Sequence, residues 1–342
     1  MPFTPTLIVL RNIAQKTRLG IREKKVLSIL LKAIILILAA VFIAYKLTNN
    51  NNLKNFSSLV KSIPAQEVYI TVGVVIALML LNWLIEAVKW RFLVKNVQRI
   101  SLWTAIESVF CGLTLAVFTP NRIGEYGGRV FFLSPSRRVL GLVAMGIGSV
   151  GQMVITNILG SLALVWFVLV FLNLHSAYEI GIVALACILI AFFALFYFNI
   201  GWILGLLGRI PFLARFKRFF KVLSRYDKRG LLKVFLLCLA RFVVFTSQYC
   251  VLIHMLIPQM PIFQMAMMVF ILFFIQSALP SLDLLDVGIR TLTASYFFSY
   301  ITHQDVAIIA ATAMIWLVNL IIPAILGSAF VFKLNFFGTN RN

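Results

Sequence analysis

Two short stretches carry side chains whose chemistry is at odds with their surroundings. The first is Phe118-Thr119-Pro120-Asn121-Arg122-Ile123-Gly124-Glu125-Tyr126-Gly127-Gly128-Arg129, which sets two arginines, a glutamate, a proline and three glycines inside an almost continuously apolar run. The second, Pro280 to Arg290, repeats the mixture with Asp283, Asp286, Gly288 and Arg290. Glu125 and Arg129 are four residues apart, as are Asp286 and Arg290, the spacing at which side chains meet on one helix face. Arginine offers a planar, permanent charge suited to phosphate, and neighbouring carboxylates can balance that charge or carry a proton. The competing reading is structural, with the pairs neutralising one another and holding two segments together. Pro120 and Pro280 break a helix, and Gly124, Gly127, Gly128 and Gly288 allow close backbone approach or exposed amides at a helix end. Arg241, about two turns inside another apolar run, is expected to face the same cavity, against Asp283 or Asp286.

No catalytic residue, metal site or cofactor is expected. His175, His254 and His303 are scattered, and the sequence holds no His-Glu-x-x-His, phosphate loop or nucleophile elbow. Acid–base work by the two aspartates keeps an intramembrane lipid-modifying enzyme as a weaker alternative.

The elements that must position these groups are membrane helices. With 62% hydrophobic and only 12% charged residues over 342 positions, the chain is too apolar for a soluble domain. Its long apolar runs predict an all-α polytopic protein rather than a barrel. The net charge of +21 invites a nucleic-acid reading, but the bases gather between apolar runs, as positive-inside topology demands, so no nucleic-acid partner is expected. The pattern predicts about six full spans, near 26–47, 68–87, 139–172, 180–207, 234–257 and 306–332, in a single membrane domain over 1–342. No small-residue cleavage site follows the first run, which is expected to serve as an uncleaved anchor. Residues 1–25 read as an amphipathic basic segment. Residues 209–233, with nine Lys and Arg among phenylalanines, read as a basic cytoplasmic interfacial helix.

The two unusual stretches fall within interrupted hairpins over 102–135 and 262–302. The first has basic flanks and the second does not, which puts one on the inner side and the other on the outer. The order span, hairpin, span therefore occurs twice, over 66–172 and 233–333, as an inverted repeat of two re-entrant or broken helical hairpins. Arg129 follows Pro120 by nine positions and Arg290 follows Pro280 by ten. Opposed broken segments of this kind frame the midplane sites of many transporters. Asn82, Glu86, Lys89 and Arg91 read instead as an interfacial stripe, with Trp83 and Trp90 as aromatic-belt residues. Glu107 and Gln248 read as helix-packing contacts, and Gly141, Gly146, Gly148 and Gly151 as a close-packing series.

The segment Thr119 to Arg129, followed by Leu133 and Arg137, resembles the signature of the lysylphosphatidylglycerol synthase transmembrane family, a flippase-like membrane region. The resemblance extends over about 30–333. Members typically carry a second motif, a proline followed by a Gly-x-Gly-x-x-Glu-like segment. Here it stands as Pro280 and then Asp286-Val287-Gly288-Ile289-Arg290-Thr291, with Asp286 in place of the usual glycine and Thr291 in place of the usual glutamate. The resemblance implies a stand-alone lipid translocator of the bacterial cytoplasmic (inner) membrane. Without the soluble transfer domain of fused members, the chain is not expected to make aminoacylated lipid by itself.

Charges and topology together lead to the expectation of a flippase with both termini cytoplasmic. Arg122, Arg129, Arg290 and Arg241 would bind an anionic lipid, with Glu125, Asp283 and Asp286 setting charge balance. The alternative is a non-transporting scaffold or accessory subunit that docks a lipid-synthesis enzyme.

Overall fold

A computed structural model of the chain describes residues 26–34, 37, 38, 41, 51–61, 63–117, 119, 122–199, 226–278 and 283–334. The amphipathic segment expected over 1–25, most of the interfacial helix expected over 209–233, and both Pro120 and Pro280 lie outside the described residues. Every regular element among the described residues is helical. Lipid offers no partners for backbone N–H and C=O groups, so each segment must satisfy its own.

In chain order the elements are α1 (Asn51–Val60), α2 (Ala65–Val94), α3 (Leu102–Val117), α4 (Ile123–Val130), α5 (Arg138–Phe171), α6 (Ser176–Phe198), α7 (Lys228–Leu256), α8 (Ile262–Ala278), α9 (Asp283–Phe298), α10 (Asp305–Trp316) and α11 (Ile322–Ser328). Five described segments are long and apolar enough to cross a membrane: α2, Pro135–Phe171, α6, α7 and Asp305–Ser328. They correspond to five of the six expected spans. The remaining one, near 26–47, is helical over 26–34 but falls only partly within the described residues.

The exterior is apolar, as a lipid-facing surface must be. Leu80, Leu81 and Leu84 on α2 and most of α6 are exposed, whereas the face of α2 that carries Asn82, Glu86 and Lys89 is buried. Polar residues thus gather inside the bundle. Helix starts follow ordinary capping chemistry: the Asp227 carboxylate accepts from the Gly230 N–H at 2.9 Å at the head of α7.

The expected break near residue 120 is a hairpin of two short helices, α3 and α4. At 1.5 Å per residue their lengths are about 24 and about 12 Å, short of the ~30 Å hydrocarbon layer. Thr119 closes the turn. Its hydroxyl donates to the Leu115 carbonyl at 2.9 Å and accepts from the Gly124 N–H at 2.8 Å, satisfying backbone groups that the break would orphan. The arms then touch backbone to backbone. A Cβ on Gly124 would fall on the Leu115 carbonyl, and one on Gly128 would fall on the Gly112 backbone. Gly127 lies at no such contact; its nearest neighbour is the Phe131 ring at 3.6 Å.

A second pair of short helices, α8 and α9, packs together and occupies the expected second hairpin. Asp283, Asp286 and Gly288 fall on α9, but the Asp283 and Asp286 side chains lie outside the described part of the structure. The last span is also irregular. Between α10 and α11 lies a π-helical turn, Leu317–Ile321, closed by the Ile322 N–H on the Leu317 carbonyl. Pro323, which lacks an N–H, stands next to it, and the wider turn accommodates the missing donor.

In the α5 glycine series, Gly141, Gly148 and Gly151 meet neighbouring side chains closely, while Gly146 faces open space. These contacts separate two kinds of glycine. Gly128→Ala should destabilise the detergent-purified protein by about 1–3 kcal/mol through backbone overlap. Gly146→Ala should be neutral or stabilise by up to about 1 kcal/mol. Thermal unfolding of the two variants side by side would show a clear drop for the first only; equal melting would contradict the hairpin packing.

Candidate functional site: a buried ion network between two cavities

At the centre of the bundle Glu86 is shared by three cations. Its Oε1 accepts from Arg129 Nη1 at 2.5 Å, and its Oε2 is 2.7 Å from Lys89 Nζ and also paired with Arg241 Nη1. Arg129 uses its other nitrogen to reach Glu125, and Glu125 in turn holds Arg122 at 3.2 Å. The Arg241 Nε donates to Asn82 Oδ1 at 2.8 Å. The network runs from α4 through Glu86 of α2 to α7 without a gap. Asn82, Glu86, Lys89 and Arg129 are each below 5% exposed.

Each member is placed by local structure. On α2, Asn82, Glu86 and Lys89 are spaced by four and three residues, which puts them on one face. The glycine contact between α3 and α4 positions the last turn of α4 so that the Arg129 side chain reaches that face. Arg129 passes over the same gap, its Cγ 3.3 Å from where a Cβ on Gly112 would stand. A larger residue at Gly112 would displace it.

Two cavities flank the network. The larger, about 290 Å³, is lined by Glu86, Lys89, Glu125, Arg129 and Arg241 on one side and by Ser149, Gln152 and Thr156 of α5 on the other. The smaller, about 110 Å³, is lined by Arg122, Arg241 and Arg290 together with Asn82, Trp83 and Asn319 of the π turn. Arg241 borders both. Four cations meet two carboxylates in the described network, leaving an excess of two positive charges inside an apolar bundle. Arg290 adds to the cationic lining of the smaller cavity.

Arg122 carries further marks of a binding group. It is the one non-glycine residue with positive φ among the described residues, at φ 55°. That conformation costs about 1–2 kcal/mol for an L-residue, and such strain concentrates at ligand clamps. Its Nε is buried without a hydrogen bond, while its side chain is 35% exposed toward the site. In the larger cavity, which Arg122 does not line, Gln152 Oε1 is likewise buried without a partner.

Several sequence expectations need correction. Asn82, Glu86 and Lys89 are not interfacial, and only Arg91 of that stripe is exposed. Trp83 and Trp90 form no belt, being 5% and 1% exposed; the Arg241 guanidinium lies 5.2 Å from the Trp83 ring centroid. All faces of this span are rich in apolar residues, so hydropathy could not say which face turns inward. Arg241 is paired with Glu86 and Asn82, a partnership the expectation of an aspartate partner did not include. The signal that could have found Glu86 was its position, a carboxylate inside a span.

Glu125 and Arg129 do meet at their four-residue spacing. Arg122, Arg241 and Arg290, far apart in sequence, line one cavity. Gln248 donates to the Val75 carbonyl at 3.0 Å, a packing contact between α7 and α2, and Glu107 pairs with Lys333. No protein-family model matches this sequence, and no curated protein is significantly similar to it.

The network makes Glu86 a keystone. Glu86→Gln should destabilise the protein by about 3–5 kcal/mol, because Lys89 and Arg241 then lose their carboxylate while Arg129 keeps only Glu125. The double variant Glu86→Gln with Arg241→Gln should recover part of the loss. A double-mutant cycle by chemical unfolding checks this; simple additivity of the two changes would refute the coupling.

Proposed function

We propose that the protein is a lipid transporter that moves an anionic, phosphate-bearing lipid between the leaflets of a bacterial inner membrane. The observation that carries the reading is the surplus of positive charge, among the described residues, in the ion network beside cavities built where broken helices meet. Arginine pairs well with phosphate through two parallel N–H donors, and a low-dielectric surround strengthens each such contact. A bound phosphate would supply the charge that the two carboxylates do not. The resemblance of Thr119 to Arg129 to the flippase-like family supports the same reading.

In this mechanism the two hairpins form an inverted repeat and hold the phosphate near the midplane. Arg122, Arg241 and Arg290 contact it, and Arg129 orients Glu125 and Arg122 rather than acting alone. Glu86 and Glu125 keep the empty cavity from becoming too positive to fold. Rocking of one hairpin against the other would open the cavity alternately to each side. The distribution of Lys and Arg supports an orientation with both termini in the cytoplasm.

A second reading rests on the continuity of the network. Six side chains bonded from Asn82 to Arg122 could be purely structural, in a scaffold that docks a lipid-synthesis enzyme. The readings differ in what substitution does to lipid movement. Purified protein is placed in vesicles containing a fluorescent anionic phospholipid, and a membrane-impermeant quencher reports its exchange between leaflets.

Arg122→Gln and Arg290→Gln leave the Glu86 hub intact and should each slow exchange by about tenfold or more, the loss of a charge-assisted contact. Exchange no faster than in protein-free vesicles, or unchanged in both variants, would sink the transport reading. Retained cellular function in the swap Glu125→Arg with Arg129→Glu would favour the scaffold.

A further inference from the structure

Outside the ion network, the basic ends of α2 and α7 form a groove of about 410 Å³, lined by Val88, Arg91, Phe92, Lys95, Arg99, Ile100 and Lys233. Its described lining holds four cations and no carboxylate. Arg91, Lys95 and Arg99 recur every four residues at the end of α2 and just beyond it, and Lys233 enters from the neighbouring α7. Two of the cations share one aromatic ring. Lys95 Nζ stands 4.6 Å and Lys233 Nζ 4.9 Å from the Phe92 ring centroid. A ring face attracts a cation but does not cancel its charge, so both ammonium groups beside this ring keep their charge, with no carboxylate among the described residues that line the groove. The neighbouring Asp227 is engaged elsewhere, capping α7 through the Gly230 N–H.

Positive-inside topology accounts for the sign of these charges but not for their arrangement. It asks for bases near a span end. It does not ask for two helices to focus four of them into one concavity around a shared ring. Apolar Val88 and Ile100 wall the groove, and exposed Leu232 and Leu236 continue the adjoining face of α7. A charged head with an apolar chain beside it matches that layout. Basic pockets between membrane helices suit lipid head groups with more than one phosphate charge.

We propose that this groove is a peripheral binding site for a membrane lipid whose head group carries two phosphates. The phosphates lie between Lys95, Lys233, Arg91 and Arg99, and an acyl chain runs along the apolar faces of α2 and α7. The site is distinct from the central cavity and does not depend on the transport reading.

The test is native mass spectrometry of the full chain in detergent. It is titrated with a cardiolipin-type lipid, a one-phosphate anionic phospholipid and a zwitterionic phospholipid. The cardiolipin-type lipid should bind best to the unaltered protein. In Lys95→Gln with Lys233→Gln its affinity should fall about thirtyfold, each base contributing about fivefold. In Lys95→Arg with Lys233→Arg it should be retained, and Arg122→Gln should leave it unchanged.

Equal binding by the unaltered and doubly neutralised proteins would overturn the proposal, as would loss in Arg122→Gln alone, which would move the lipid to the central cavity. Inorganic pyrophosphate is added as a competitor. Displacement of the lipid at equal concentration would assign the groove to a soluble anion and overturn the lipid assignment. A failure of leaflet exchange with intact lipid binding here would count against the transporter and not against this groove.

Discussion

A carboxylate buried in an apolar bundle must be compensated, and the arrangement around Glu86 follows from that constraint. Desolvating its charge costs several kcal/mol, and Lys89, Arg129 and Arg241 return that energy only because all three reach its two oxygens. The cations are equally dependent on it. Without Glu86 they would repel one another in a medium that screens poorly. Three helices are thereby tied to one side chain, and the cavities lie where their packing leaves room around it.

The hairpin of α3 and α4 is the device that makes this reachable. Arg129 sits on a helix of only eight residues, which would have little stability of its own. It is held by backbone contact at Gly112, Gly124 and Gly128 and by Thr119, which supplies hydrogen bonds that the break removes. Small residues permit such approach where no hydrophobic effect drives helices together. The same contact fixes Arg122 at the head of α4 in its left-handed conformation. Packing, turn chemistry and electrostatics agree at one place, and strain is tolerated there.

Charge is distributed on two levels. The described interior network balances half of its positive charge, while the basic ends of α2 and α7 carry cations with no acidic partner among the described residues of their groove. Both levels favour anionic ligands, but by different physics. Inside, contacts are few, desolvated and geometrically fixed. At the rim they are exposed and weakened by salt. A lipid-facing exterior of leucine, valine and phenylalanine surrounds both.

The helical class, the lipid-facing character, the break near residue 120 and the Glu125–Arg129 pair were all legible in the amino-acid sequence. Each follows from composition, from the demand that backbone groups be satisfied in lipid, or from spacing within one helix. It took the packed bundle to make Glu86 the hub, to bond Arg241 to it from 155 positions away, and to bury Trp83 and Trp90. The physical reason lies in α2. Apolar residues surround this span, so its three polar side chains could be read as an interfacial stripe or as an inward face. That choice is made by Arg129 on α4 and Arg241 on α7, which must find a carboxylate once the helices pack.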